Sequence, residues 1–290
     1  MANKAQRWPT NLPGDFYVDR TCIDCDQCRE IAPATFGDGD GHARVVRQPE
    51  SPAAVHRALM AVVTCPVGAI GNEQRRPLGD AVASFPERIE DNVFFCGFAS
   101  GDSFGASSYL IVRPDGNVLV DSPRFASRLV QQIEQLGGVR WMFLSHVDDV
   151  ADHARFRRHF GCDRIIHARE MRASLADIER TIGGDEPVPI APELLAIPTP
   201  GHTCGHTVLL DRDRFLFTGD HLWWSPERGR LSASPRYCWY SWPRQTESME
   251  RLLAYDFAWV LPGHGRRHHA SKEEMRDSLS RCLAWMRQTS

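Results

Sequence analysis

Cysteine, histidine and aspartate gather in this sequence at spacings that suit metal chemistry. The run TCIDCDQCREIAP places Cys22, Cys25 and Cys28 at successive two-residue gaps, and Cys65-Pro66 follows in TCPVGAI. Three thiolates on so tight a loop can grip adjacent irons of one cluster, whereas disulfides between such close neighbours would be strained. With Cys65 as the remote fourth ligand, the expectation is one [4Fe-4S] cluster held by Cys22, Cys25, Cys28 and Cys65. Zinc or plain structural thiols are the competing uses, but zinc knuckles usually pair cysteines in twos.

A second group of metal-type residues falls where apolar runs end. WMFLS leads into His146, PTPGHTCGH sets His202 in a glycine-rich turn before a strand, FLFTGD ends in Asp220, and WVLPGHG ends in His264. A lone histidine is more often packed or solvated than a ligand. Four strand ends delivering His or Asp from distant positions invert that expectation. The stretch SHVDDVADH, from Ser145 to His153, poses a choice between a metal loop lacking a histidine and a polar turn.

The elements that must position these residues are legible as short β-rich runs alternating with helices. Candidate strands are NVFFCGF, SSYLIV, NVLVD, WMFLS, DRIIH, HTVLLD, RFLFTG and AWVLPG. Candidate helices are PRFASRLVQQIEQLG, ADHARFRRHF, RQTESMERLLAYD and KEEMRDSLSRCLAWMRQ, the last with Leu279, Leu283 and Met286 spaced for a core face. Strands in two groups with helices interspersed imply a layered αββα sandwich in the α/β class. Ahead of it, PAAVHRALMAVVT reads as a helix with Val55, Leu59, Val62 and Val63 in one stripe, delivering Cys65 back to the cysteine loop. The boundaries expected are a small α+β module over 1–70, a polar, proline-containing connection over 71–91, and the sandwich over 92–290.

Residues Phe16 to Ile70 resemble the single-cluster bacterial ferredoxins. Two-cluster ferredoxins continue the cysteine run with three residues and a Cys-Pro pair; Ala32-Pro33 stands there instead, so a second cluster has no ligand. Residues 92–290 resemble the metallo-β-lactamase-fold superfamily, through TPGHTCGH, FTGDHL and LPGHG. Its first motif usually reads His-x-His-x-Asp-His. Here His146 opens the motif and Asp152-His153 close it, with the central histidine replaced by Asp148 and the loop longer by two residues; Asp149 is the alternative occupant. The resemblance implies one metal site from His146, Asp148 and His202. It implies a second from Asp152, His153 and His264, with Asp220 bridging. One metal, or none, is the outcome if the exchange disables the loop.

A carboxylate in place of an imidazole hardens the site, so iron and manganese become as suitable as zinc. Two chemistries then compete. In the first, a metal-bound hydroxide hydrolyses an ester or thioester, with Asp220 holding the metals and Asp152 orienting the nucleophile. In the second, the cluster feeds electrons to a non-haem iron site acting on oxygen, nitric oxide or a sulfur compound. Hydrolysis is the first expectation because the motifs are of hydrolase type. A non-catalytic sensor is the third.

The chain has 290 residues, 42% hydrophobic and 24% charged, with a formal net charge of −3. That balance argues against nucleic acid, and no apolar run approaches the roughly 20 residues that cross a bilayer. Nine cysteines without an apolar export segment suit a reducing cytoplasm, with a small-molecule substrate and a redox protein as expected partners. Trp223, Trp224, Tyr237, Trp239, Tyr240 and Trp242 form either a substrate wall or a self-packed loop. Arg266 and Arg267, beside His268 and His269, form either a solvated turn or an anion contact. His206 and His221 are expected to support the ligands, and Cys204 to be an inert thiol.

Overall fold

A computed structural model describes residues 2–289. The N-terminal module comprises β1 (Phe16–Val18), α1 (Gln27–Ile31), β2 (Phe36–Asp38), β3 (Ala43–Val45), α2 (Pro52–Thr64) and β4 (Ile70–Asn72). Strand β1 pairs antiparallel with β4, and β2 with β3. Helix α2 starts where Ser51 accepts the Ala54 N–H and Pro52 fills the first turn, a position that needs no donor. Leu59 and Val63 of its expected stripe are buried, while Val55 and Val62 are half-buried against the same core. Cys65 is its C-terminal cap.

The sandwich begins earlier than its first apolar run. The segment 71–91, expected as a plain connection, supplies α3 (Gly79–Ala83) and β5 (Glu87–Glu90). Strand β5 pairs with β6 (Val93–Phe95) as the edge of a sheet. Its sequence, ERIE, offers too little apolar surface to announce a strand, because an edge needs only half-burial. That sheet continues through β7 (Tyr109–Ile111) and β8 (Val118–Val120); helix α4 (Ser127–Gln135) then precedes β9 (Trp141–Phe143). After helix α5 (His153–Phe160) come β10 (Asp163–His167) and β11 (Arg180–Ile182). The seven strands lie in chain order, antiparallel from β5 to β8 and parallel from β8 to β11.

The second sheet has six strands. Its members are β12 (Val188–Ala191), β13 (Leu194–Pro198), β14 (Thr207–Asp211) and β15 (Phe215–Gly219); after the hairpin of β16 (Trp223–Ser225) and β17 (Arg230–Ser232) and helix α6 (Trp242–Arg251) come β18 (Trp259–Pro262) and β19 (His268–His269). Its residues alternate between two cores, as the two-residue period of a strand requires. Leu209, Phe215, Phe217 and Leu261 face the first sheet, where Tyr109 meets Phe217 at 5.5 Å between ring centroids. Val208, Leu210, Leu216 and Val260 face α6 and the final helix α7 (Lys272–Gln288). Ser271 and Glu274 cap α7 reciprocally, and Met275, Leu279, Cys282, Leu283 and Met286 recur on its buried face. The result is the expected αββα sandwich. Among the described residues, no helix is long and apolar enough to cross a membrane.

Candidate metal centre

The four cysteines of the N-terminal module line one pocket, with Val18, Ile23, Val67 and Ile70 as its apolar walls. Asp24 and Asp26 adopt left-handed backbone at φ 59° and 67°, a conformation aspartate tolerates, and this winds the loop so that all three of its thiols face inward. Ala43 donates to Cys22 Sγ at 3.4 Å and Ala69 to Cys65 Sγ at 3.2 Å. Burial, then the charge of neighbouring Cys65 and Cys22, pushes the Cys25 thiol up to about 12. Burial also raises Cys28 and Cys65. Thiols gathered in so apolar a pocket ionise only beside a positive partner, and an iron–sulfur cluster is the group that fits.

In the sandwich, His146, Asp148 and His202 converge, as do His146, Asp149 and Asp220, with ligand atoms in each group within 4.8 Å of one another. His202 Nε2 lies 3.6 Å from Asp148 Oδ2 and 3.8 Å from Asp220 Oδ2. His264 Nδ1 contacts both Asp220 oxygens, at 2.8 and 2.9 Å. The Nε2 atoms of His146, His202 and His264 and both oxygens of Asp149 are buried without a hydrogen-bond partner. Buried polar atoms are almost always paired, so the orphans on His146, His202 and Asp149, members of these two groups, fit metal ions that would satisfy them; His264 faces Asp220 through Nδ1 and belongs to neither group.

The surrounding groups prepare the ligands. Ser145 Oγ lies 2.9 Å from His146 Nδ1 and donates to Asp121 Oδ2 at 3.0 Å, while the Ser145 N–H donates to Asp121 Oδ1. This relay fixes the imidazole and leaves Nε2 free. Burial pushes His146 down to about 4, so it is the neutral, ligating form at neutral pH. Burial, reinforced by Asp220, pushes Asp121 up to about 7 and Asp149 well above the usual carboxylate range. Burial alone would lower His264, but Asp220 outweighs it and holds the imidazole up at about 10. Without a metal, therefore, His264 and Asp220 are an ion pair. His202 is oriented by its Nδ1 bond to the Tyr237 carbonyl at 2.5 Å, and His206 Nε2 accepts the Asp220 N–H. His221 is fully buried 5.5 Å from the His206 ring, with neither nitrogen hydrogen-bonded.

Two expected ligands lie elsewhere. Asp152 accepts the Phe125 N–H at 2.7 Å and pairs with Arg155. His153 Nδ1 meets the Arg164 guanidinium at 3.1 Å, and its charged neighbours are Arg164, Asp177 and Glu179. The longer loop is the cause. Val147–Asp149 form a 3-10 turn, Ala151 takes φ 29°, and the chain has left the pocket before α5 begins at His153. The choice between Asp148 and Asp149 also resolves differently, because both reach the pocket. Adjacent side chains diverge by about 120° on a 3-10 turn, so tandem aspartates can serve two positions. That doubled Asp, two residues after His146, was the available signal.

Arg266 and Arg267 are neither solvated nor free for an anion. Arg266 pairs with Asp26 at 2.6 Å and Arg267 with Glu30 at 2.7 Å, fastening the His264 segment to helix α1 of the cysteine module. Gln27 donates to the Gly105 carbonyl at 2.9 Å and to Ser107 Oγ at 2.8 Å, and Ser107 N–H donates to Gly263. A Cβ on Gly105 would stand 2.7 Å from Cys25 Cβ and 2.9 Å from its sulfur, so only glycine permits this approach. Phe104, next in the chain, lies 6.2 Å from the His264 ring. The aromatic segment divides: Trp224 stacks on His268 and Trp242 packs on Trp285, while Tyr237, Trp239 and Tyr240 are exposed near His202. Cys204 is half-exposed.

The family described as the metallo-beta-lactamase superfamily matches residues 101–284. The chain belongs to the metallo-β-lactamase superfamily. The 4Fe-4S single cluster domain of Ferredoxin I matches residues 18–72 of this superfamily member. Solved structures agree on the fold. DIM-1 metallo-beta-lactamase is similar at 15% identity and a TM-score of 0.54, covering 70% of this chain and 97% of its own. VMB-1 is similar at 15% identity and 0.53, covering 70% and 96%. The metallo-beta-lactamase from Hirschia baltica is similar at 14% and 0.52, covering 68% and 95%. No curated protein sequence matches the chain. This metallo-β-lactamase-fold protein thus carries a [4Fe-4S] cluster in its first module and one or two divalent metal ions in its second.

Proposed function

We propose that the chain is an oxidoreductase acting on a small molecule, with the [4Fe-4S] cluster exchanging electrons with a non-haem metal centre held by His146, Asp148, Asp149, His202, Asp220 and His264. The observation that carries this reading is the seam between the modules. Cys25 packs on Gly105, and the adjoining Phe104 lies against His264. A hydrolase gains nothing evident from thiolates so close to its metal, whereas tethering a carrier there raises its effective concentration.

When bound, the cluster supplies single electrons and the ions supply Lewis acidity together with, for iron or manganese, a change of oxidation state. Three carboxylates beside three imidazoles favour those hard ions over zinc. His146 presents Nε2 in its neutral form, and Asp220 sits between the two groups of ligands. Asp148 is the half-exposed member, which supports reading its carboxylate as the open side of the centre, where substrate would enter. Phe104 and Trp239 flank that opening through their contacts with His264 and His202. A separate redox protein would reload the cluster in this scheme.

Hydrolysis of an ester or thioester is the second reading, favoured by the hydrolase-type motifs TPGHTCGH, FTGDHL and LPGHG. The experiment that separates them mixes dithionite-reduced protein with dissolved oxygen and follows cluster reoxidation. Wild type should reoxidise at least about tenfold faster than Asp220→Asn, since the centre and not the cluster takes the substrate. Equal rates, with ester turnover retained only in wild type, would establish hydrolysis instead.

A further inference from the structure

We propose that Glu170, which no motif marks, is the positioning residue for the His146–Asp148–His202 pocket. The proposal rests on the metal-centre reading but not on its redox chemistry. Glu170 is fully buried in the turn after β10. Its Oε2 accepts the Val147 N–H at 2.9 Å, and its Oε1 accepts the Gly205 N–H at 2.6 Å. Val147 stands between His146 and Asp148, and Gly205 between His202 and His206. The first loop leaves β9 of the seven-stranded sheet; the second joins β13 to β14 of the six-stranded sheet. One carboxylate therefore ties together, across the sandwich, the two loops that carry this pocket's ligands.

The chemistry requires a carboxylate. Both partners are N–H donors, and glutamate alone among side chains of this length offers two acceptors and no donor. Glutamine would turn one NH2 against a backbone N–H. Gly205 is matched to the clamp, because a Cβ there would lie 2.9 Å from Glu170 Oε1 and 2.8 Å from His167 Nδ1. His167 cannot give way easily, since its Nδ1 accepts the Arg169 N–H and its Nε2 bonds the Gly184 carbonyl. Among the described residues, no arginine or lysine forms a salt bridge with Glu170. A buried carboxylate held only by backbone N–H groups suits a residue that positions a neighbouring metal centre.

The test is stepwise zinc binding to metal-depleted, cluster-loaded protein, using a chelator dye, for wild type, Glu170→Gln and Gly205→Ala. Glu170→Gln should weaken one of two zinc steps by about 10–100-fold, the usual effect of losing a residue that orients ligands. The other step, which draws on Asp149, Asp220 and His264 besides the shared His146, should change by less than about threefold, with Gly205→Ala reproducing the pattern. Unchanged affinities would overturn the proposal, as would both steps weakening equally together with the melting temperature, which marks a merely structural role. If wild type binds no zinc at all, the metal-centre reading fails together with the clamp.

Discussion

Replacing Asp149 by asparagine should make the metal-free protein more stable and the metal-loaded protein less stable. In the folded chain this carboxylate is buried, both oxygens lack partners, and Asp220 stands beside it. An unsatisfied buried polar group costs about 1–3 kcal/mol, and more when charged. Asparagine keeps the unpaired atoms but needs no proton to be neutral when buried, so the metal-free variant should gain about 1–2 kcal/mol. At roughly 2–4 °C per kcal/mol, that is a rise of about 2–8 °C in melting temperature. With metal at about 100 times its Kd, binding adds about 2.7 kcal/mol to wild type; a hundredfold weaker site would retain only about 0.4. The two melting curves should therefore change order when zinc is added. His153→Ala is the control: its ring belongs to Arg164, so metal content should not change. Differential scanning fluorimetry with and without zinc, paired with metal counting, reads both effects. If His153→Ala released an ion while Asp149→Asn kept two, the placement of the lengthened loop would be refuted.

Arg266→Ala removes the pair to Asp26 at the module seam and should cost about 1.5–3 kcal/mol, with faster bleaching of the visible cluster absorbance in air. Burial would raise Glu179, but bonds from Arg164 and Arg157 outweigh it and hold the carboxyl down at about 2, against an ordinary value of 4.5. A depressed folded value means stability that is full above about pH 4.5 and lost as pH falls towards about 2. Glu179→Gln should flatten the acid side of a melting-temperature profile, and a slope identical to wild type would exclude this pair as the cause. Trp239 is 63% exposed, so Trp239→Ala should leave stability within about 0.5 kcal/mol while raising KM, read from steady-state kinetics on any substrate that turns over.

The parts of this protein visible in its sequence are those set by local rules. Cysteine spacing and a capped helix were enough to bring Cys22, Cys25, Cys28 and Cys65 to one pocket. Each of the eight apolar runs contains a strand, because burial on both faces leaves a signal in every residue. The hairpin of β12 and β13, in VPIAPELLAIP, escaped notice since its prolines and short runs suit a loop as well as an edge. Within the metal loop, residue types were legible and their directions were not. Where Asp152 and His153 point depends on φ at Ala151, a single dihedral that no periodicity encodes. The roles of Arg266 and Gln27 were equally hidden, because both depend on one module meeting the other.

The most direct measurement of the central claim is a reductive titration of anaerobically purified protein with metal analysis of the same sample. The account predicts about six irons per chain and about three reducing equivalents, with the pair beyond the cluster accepting electrons only while the cluster is intact. About four irons with two zincs, and a single reducing equivalent, would contradict it.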